Sequence, residues 1–149
     1  PGGNLDTVCD ILDLILPEGT IVSTKDKNGE GETYTSDEEH KLEIPLSVLT
    51  NGNSASASEI FAGAVQDYGV GTLVGTTTFG KGIVQQIFPL TDGTSIKLTI
   101  SEYFTPKGRN IHGTGIDPDV EVEYEYNEED PAADNQLEKA IEIVKGNGM

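Results

Sequence analysis

Two short segments carry the residue types that could do chemistry: NGNSASASEI at 51–60 and GTTTFGKG at 75–82. The first sets three serines, Ser54, Ser56 and Ser58, where the apolar run PLSVLT (45–50) gives way to a helical pattern. At such a junction a hydroxyl can stand exposed while free backbone N–H groups and the positive end of the helix dipole face a reacting centre. A structural role competes for the same residues. Ser56 followed by Glu59 has the spacing of a capping box, and spacing alone favours that reading. The segment lacks the G-x-S-x-G signature of an α/β-hydrolase elbow.

The second segment nearly spells a phosphate-binding P-loop, with Gly75, Gly80 and Lys81 in register. Gly82 stands where a Ser or Thr hydroxyl should hold magnesium, so a nucleotide site is poorly supported. The same residues also describe a lysine set in a glycine-lined turn. Lys81, followed by Ile83 and Val84, is the one lysine in an apolar context. Burial disfavours the ammonium and lowers a lysine pKa, leaving an amine that can take a proton. Gln85 shares the face of Lys81 whether the segment is strand or helix, and a neutral amide there can orient the amine. A histidine base is the other option. His112 with Asp92 or Asp117 would complete a Ser-His-Asp set, because triads are made by geometry and not by order. The second histidine, His40, lies in a charged stretch.

The elements that must position these residues alternate helix and strand. Leu5, Val8, Leu12, Ile15 and Leu16 recur at helical spacing behind a cap at Asn4 or Asp6, and Pro17-Glu18-Gly19 stops the helix. Residues 20–24 form a short strand, followed by a polar excursion to about Glu43. PLSVLT is apolar enough for a strand buried on both faces. A helix over 57–68 carries Ile60, Phe61, Ala64, Val65 and Tyr68 on one face and stops at Gly69. With a strand over 71–75 it makes a parallel β-α-β unit. Residues 83–90 and 95–104 flank an Asp-Gly turn and form a hairpin. TPKGRN (105–110) turns the chain, and QLEKAIEIVK (136–145) is a terminal amphipathic helix.

Composition bounds the function. The 149 residues suffice for one domain with a core. A net charge of −17 argues against nucleic-acid partners, since no basic patch exists to displace counterions from phosphates. The acidic runs at 35–43 and 120–134 read as solvated loops. DKNGEGE (26–32) lacks the ligand spacing of an EF-hand and reads as a turn. The single cysteine, Cys9, sits among apolar residues and reads as a small core side chain. No apolar run reaches membrane-spanning length and no signal peptide is present, in a chain that opens in mid-motif like a fragment.

Three blocks together carry a resemblance: NGNSASASEIFAGAVQDY, VGTTTFGKGIVQQIFPLTDGTSIKLT and YFTPKGRNIHGTGIDPDV. From Pro1 to about Val120 the chain resembles the carboxyl-terminal processing peptidases, or tail-specific proteases. The resemblance implies a ClpP/crotonase-like α/β core of β-α-β units with a β-hairpin, here a partial peptidase core lacking a PDZ domain. It implies a serine endopeptidase that cuts protein or peptide substrates near their carboxyl termini with a Ser-Lys dyad and no cofactor. Carried onto this chain, the nucleophile is Ser56, the base Lys81, and the residue orienting the lysine Gln85. The oxyanion hole is the amide of Ala57 with that of Gly2, in preference to Gly3. On this reading Gly82 lets the backbone turn at the base, and the P-loop likeness is accidental.

The same resemblance divides the chain into a peptidase core at 1–125 and an acidic linker with terminal helix at 126–149. It places a PDZ domain elsewhere in the full-length protein, and that protein outside the cytoplasm, anchored to a bacterial membrane. A strand expected before Pro1 would anchor Gly2. Without it the piece is expected to be poorly active alone and to self-associate through an open sheet edge. A peptidase-like binding module without activity is the competing class, opposed by the presence together of Ser56, Lys81 and Gln85.

Overall fold

The computed structural model describes residues 1–37, 39 and 43–146; His40 lies outside them. Helix α1 spans Leu5–Asp13, and the Asn4 side chain caps it by accepting from the Thr7 N–H at 2.9 Å. Strands β1 (Gly19–Lys25) and β2 (Thr33–Ser36) pair antiparallel. Strand β3 (Ser47–Thr50), helix α2 (Ala57–Tyr68) and strand β4 (Thr72–Gly75) form the expected unit, with β3 and β4 parallel and Val48 beside Leu73. A hairpin of β5 (Ile83–Pro89) and β6 (Ser95–Phe104) follows, then β7 (Val120–Glu121) and α3 (Asn135–Gly146).

The strands make two sheets, ordered β2-β1-β6-β5 and β3-β4-β7. Helix α2 packs on β1 of one sheet and β4 of the other, and α1 packs on α2. Where these elements meet, Leu12, Leu16, Ile21, Val22, Ile60, Val65, Leu73, Ile111 and Ile116 form the core. Full burial of such side chains is worth about 1.5–3 kcal/mol each. Small residues let α2 pack on more than one face: Ala57, Ala62, Gly63 and Ala64 are all buried. A Cβ on Gly63 would lie 2.9 Å from the Thr105 side chain, so the loop after β6 sits directly on the helix. Asp67 fastens that loop by accepting from the Lys107 N–H at 2.8 Å and pairing with the Arg109 guanidinium. Cys9 is buried as expected.

Three expectations need correction. The polar stretch after β1 contains β2, where alternation at Thr33-Tyr34-Thr35-Ser36 lets Ser36 turn inward and donate to the Pro17 carbonyl. The run 45–50 is not buried on both faces: pairing begins at Ser47, and Leu49 is exposed. Strand β3 ends its sheet among the described residues, and α3 covers it incompletely, leaving a cavity of about 290 Å³ beside Leu49, Ala140 and Ile141. Finally, Gly80 and not Gly82 supplies the unusual backbone angle, at φ +86°. Gly82 is needed for closeness instead, because a Cβ there would lie 2.6 Å from the His112 nitrogen.

Candidate active site

The strand-to-helix junction after β3 is strained at one residue. Ser56, the N-cap of α2, has φ 59° and ψ −119°, and it is the one non-glycine residue with positive φ among those described. Such a conformation costs on the order of 1–3 kcal/mol and persists only where its surroundings enforce it. Strained strand-to-helix turns are one way in which hydrolases expose a serine at the head of a helix. The turn forms here without flanking glycines, because Ala55 and Ala57 are small enough to be buried on either side.

The enforcing residue is Glu59, 0% exposed. Its Oε2 accepts the Ser56 N–H at 2.9 Å and the Lys81 N–H at 2.8 Å. Its Oε1 accepts the Thr78 hydroxyl at 2.6 Å and the Gly80 N–H at 2.7 Å. Four donors thus converge on one carboxylate, and each would be costly to leave unpaired in the interior. Thr78 in turn accepts the Ile116 N–H at 2.8 Å, and the Phe79 N–H donates to the Ser54 carbonyl at 2.9 Å. The serine segment and the lysine segment are therefore one hydrogen-bonded unit. Sequence spacing singles out Glu59 only as a helix cap. Its reach to residues 78–81 depends on packing that spacing does not encode.

Gly2 closes against the same turn. Its φ is +96°, and a Cβ there would lie 2.6 Å from the Ala55 carbonyl, 3.0 Å from the Ser56 Cβ and 3.2 Å from the Ala57 nitrogen. Gly2, Ser56 and Ala57 are thus brought together. A Cβ on Gly3 would meet nothing within 4 Å. Beside them opens a cavity of about 500 Å³, walled mainly by Val8, Ile11, Val48 and Phe61.

Lys81 is half-buried, with the exposed ring of Phe79 two residues before it. Gln85 lies on β5 with its side chain exposed, and its Nε2 contacts the Thr99 hydroxyl at 3.4 Å. Among the described residues no hydrogen bond joins the side chains of Ser56 and Lys81, or of Lys81 and Gln85. A further neighbour of the serine is Tyr103, 7% exposed. Burial pushes its phenol up, the neighbouring Ser56 works the other way, and Cys9 adds to the rise. Tyr103 lies within the quoted block YFTPKGRN, but nothing in its spacing points to the serine.

Among the described residues no hydrogen bond joins the groups of the alternative triad to one another. Asp92 sits in the hairpin turn and accepts from Thr94, while Asp117 accepts the Thr77 hydroxyl at 2.7 Å. His112 is exposed, and among the described residues no hydrogen bond links its ring to Ser56.

The sequence pattern of peptidase family S41 matches residues 1–122. The carboxyl-terminal-processing protease of Synechocystis is 45% identical over 98% of this chain and 35% of its own length. Its counterpart in Bacillus subtilis, the carboxy-terminal processing protease CtpB, is 42% identical over 82% of this chain and 26% of its own length. The solved structure of the photosystem II D1 C-terminal processing protease superposes with a TM-score of 0.78 at 33% identity, over 96% of this chain and 36% of that one. The chain spans about a third or less of these relatives, and its fold is the partial peptidase core that its motifs imply. By its sequence pattern and its fold alike, this chain belongs to peptidase family S41.

Proposed function

We propose that this chain supplies the catalytic centre of a serine endopeptidase that processes proteins near their carboxyl termini. Ser56 is the nucleophile, Lys81 the general base, and the amides of Ala57 and Gly2 the oxyanion hole. Lys81 takes the Ser56 proton as the hydroxyl oxygen attacks the scissile carbonyl. The resulting oxyanion meets the two amides, Lys81 returns the proton to the leaving amine, and water resolves the acyl-enzyme. Gln85 orients the lysine once substrate closes the site, since catalytic hydrogen bonds often tighten only in the complex. The observation that carries this reading is the shared Glu59 oxygen, which holds the strained serine turn and the lysine loop in one frame. Support comes also from the relatives, whose names describe carboxyl-terminal processing.

The substrates are proteins or peptides. The apolar cavity beside Gly2 and Ala57 suits an uncharged side chain at the cleavage position. The greater length of the relatives leaves room for a PDZ domain elsewhere and for a segment anchoring the whole protein outside the cytoplasm. Among the described residues no helix is long and apolar enough to cross a membrane. We set the boundary of the peptidase core near residue 125, with the linker and α3 at 126–149, a division supported by the family pattern ending at 122. The test is a fluorophosphonate probe followed by peptide mapping. Covalent label on Ser56 is the expected result. No label, or label on Ser54 or Ser58, overturns the assignment.

A further inference from the structure

Strand β5 ends its sheet: one edge pairs with β6, and the other meets no strand among the described residues. The backbone ladder decides which groups face that open edge. The Leu90 N–H donates to the Thr94 carbonyl at 2.8 Å, one step beyond the pairing of Pro89 with Ser95. Bonded and non-bonded pairs alternate along an antiparallel ladder. Phe88 and Gln86 therefore turn their backbone groups toward β6, while Ile87 and Gln85 turn theirs outward. Beyond the bulge at Val84/Gln85, the Tyr103 N–H donates to the Gly82 carbonyl at 2.9 Å, which sets Ile83 outward as well. Pro89 falls on the outward count too and has no N–H to offer, as a proline in an edge strand should.

The open edge is thus a row of backbone donors and acceptors at Ile83, Gln85 and Ile87, closed at its far end by Pro89. It begins two residues after Lys81. None of the three outward residues is charged, and the last part of the strand is exposed. Proteins usually block such an edge or use it.

We propose that this edge is the docking strand for the substrate: an extended stretch of polypeptide beside the scissile bond adds to β5 as a further strand. The proposal rests on the peptidase reading above and extends it to how substrate is held. The occupant follows from continuity, because the strand runs straight out of the lysine loop that Glu59 ties to Ser56. A peptide hydrogen-bonded along β5 is thereby delivered to the serine turn, where the cavity beside Gly2 and Phe61 can take one side chain. Main-chain pairing gives affinity without demanding a sequence.

The test uses the Ser56→Ala chain and an unstructured peptide that the unsubstituted protein cleaves, with amide hydrogen exchange read by NMR. Saturating peptide should slow exchange at Ile83, Gln85 and Ile87 by about tenfold or more, and leave Gln86 and Phe88, already in the ladder, little changed. In steady-state assays Ile87→Pro, which deletes an outward N–H, should raise KM about tenfold with kcat largely kept. N-methylating the peptide backbone repeats the test with the protein untouched, and one methylated position should weaken binding. Peptide bound without the alternating protection overturns the proposal. So does protection that appears without peptide and grows with protein concentration, which would assign the edge to a second copy. If Ser56 takes fluorophosphonate and peptide is cleaved, yet β5 amides do not respond, only the docking strand fails. If neither labelling nor cleavage occurs, the peptidase reading fails and the docking strand with it.

Discussion

Ser56 and Lys81 donate their backbone N–H groups to a single atom, the Oε2 of Glu59, at 2.9 and 2.8 Å. The carboxylate touches neither side chain through these bonds, so under the proposed mechanism its part is positioning. Glu59→Ala leaves four donors unpaired in a dry site and should destabilise the protein by about 3 kcal/mol or more. Glu59→Gln keeps the shape but turns an NH₂ toward backbone donors. It should lower kcat by about 10²-fold with KM little altered, as expected when a misplaced constellation costs rate. Denaturant melts and steady-state kinetics separate the two effects. Full activity in a folded Glu59→Gln protein would remove the carboxylate from the mechanism.

The three serines should part company on substitution. Ser56→Ala should abolish peptide hydrolysis. Ser54→Ala and Ser58→Ala should keep most of it, since the Ser54 hydroxyl accepts the exposed Asn51 N–H and Ser58 lines the cavity wall. Equal damage from Ser54→Ala in a folded protein would mean that the nucleophile has been misassigned.

Lys81→Arg retains charge and length but cannot deprotonate, because a guanidinium stays protonated throughout the working range. Loss of general-base catalysis should lower kcat/KM by about 10²- to 10⁴-fold. An active Lys81→Arg variant would return attention to His112.

Gly2→Ala places a methyl group 2.6 Å from the Ala55 carbonyl at a backbone angle that alanine avoids. Gly2 is exposed, so the fold should survive. The loop should move off the serine turn, costing about 10²- to 10³-fold in kcat through one lost oxyanion donor. Unchanged kcat would show that the second donor lies elsewhere.

Cys9 reports on the core. Burial first, then the charges of Asp6 and Asp10, push its thiol from 9.0 up to about 11. The folded state thus holds the neutral thiol while the unfolded chain ionises at lower pH. Stability from this group is complete below pH 9.0 and is lost as pH rises toward about 11, amounting to about 2 kcal/mol. Melts of the unsubstituted protein and of Cys9→Ala across that range should converge as pH rises. A constant gap between them would show that the thiol titrates as it does in the unfolded chain.

By itself the sequence determines most of the local elements and names the candidates for the site. Periodicity places α1, α2 and the β5–β6 hairpin with its Asp-Gly turn, because each is specified by neighbours within a few residues. Residue types single out Lys81 and leave three serines, among which only the family resemblance chooses Ser56. The tertiary structure alone decides how these parts meet. The role of Glu59 beyond α2, the contact of Tyr103 with Ser56, and the closure of Gly2 on Ala57 all join residues far apart in the chain. Strand β2 is not legible in the sequence because its four residues are polar and pair only when β1 lies beside them. Composition overstates the burial of β3 because it records how apolar a strand is, while its place in the sheet decides how much of it is covered. Local energetics are written in the sequence at short range; the positive φ at Ser56 is held by a carboxylate whose other donors come from a loop some twenty residues further on, and only packing brings that loop to it.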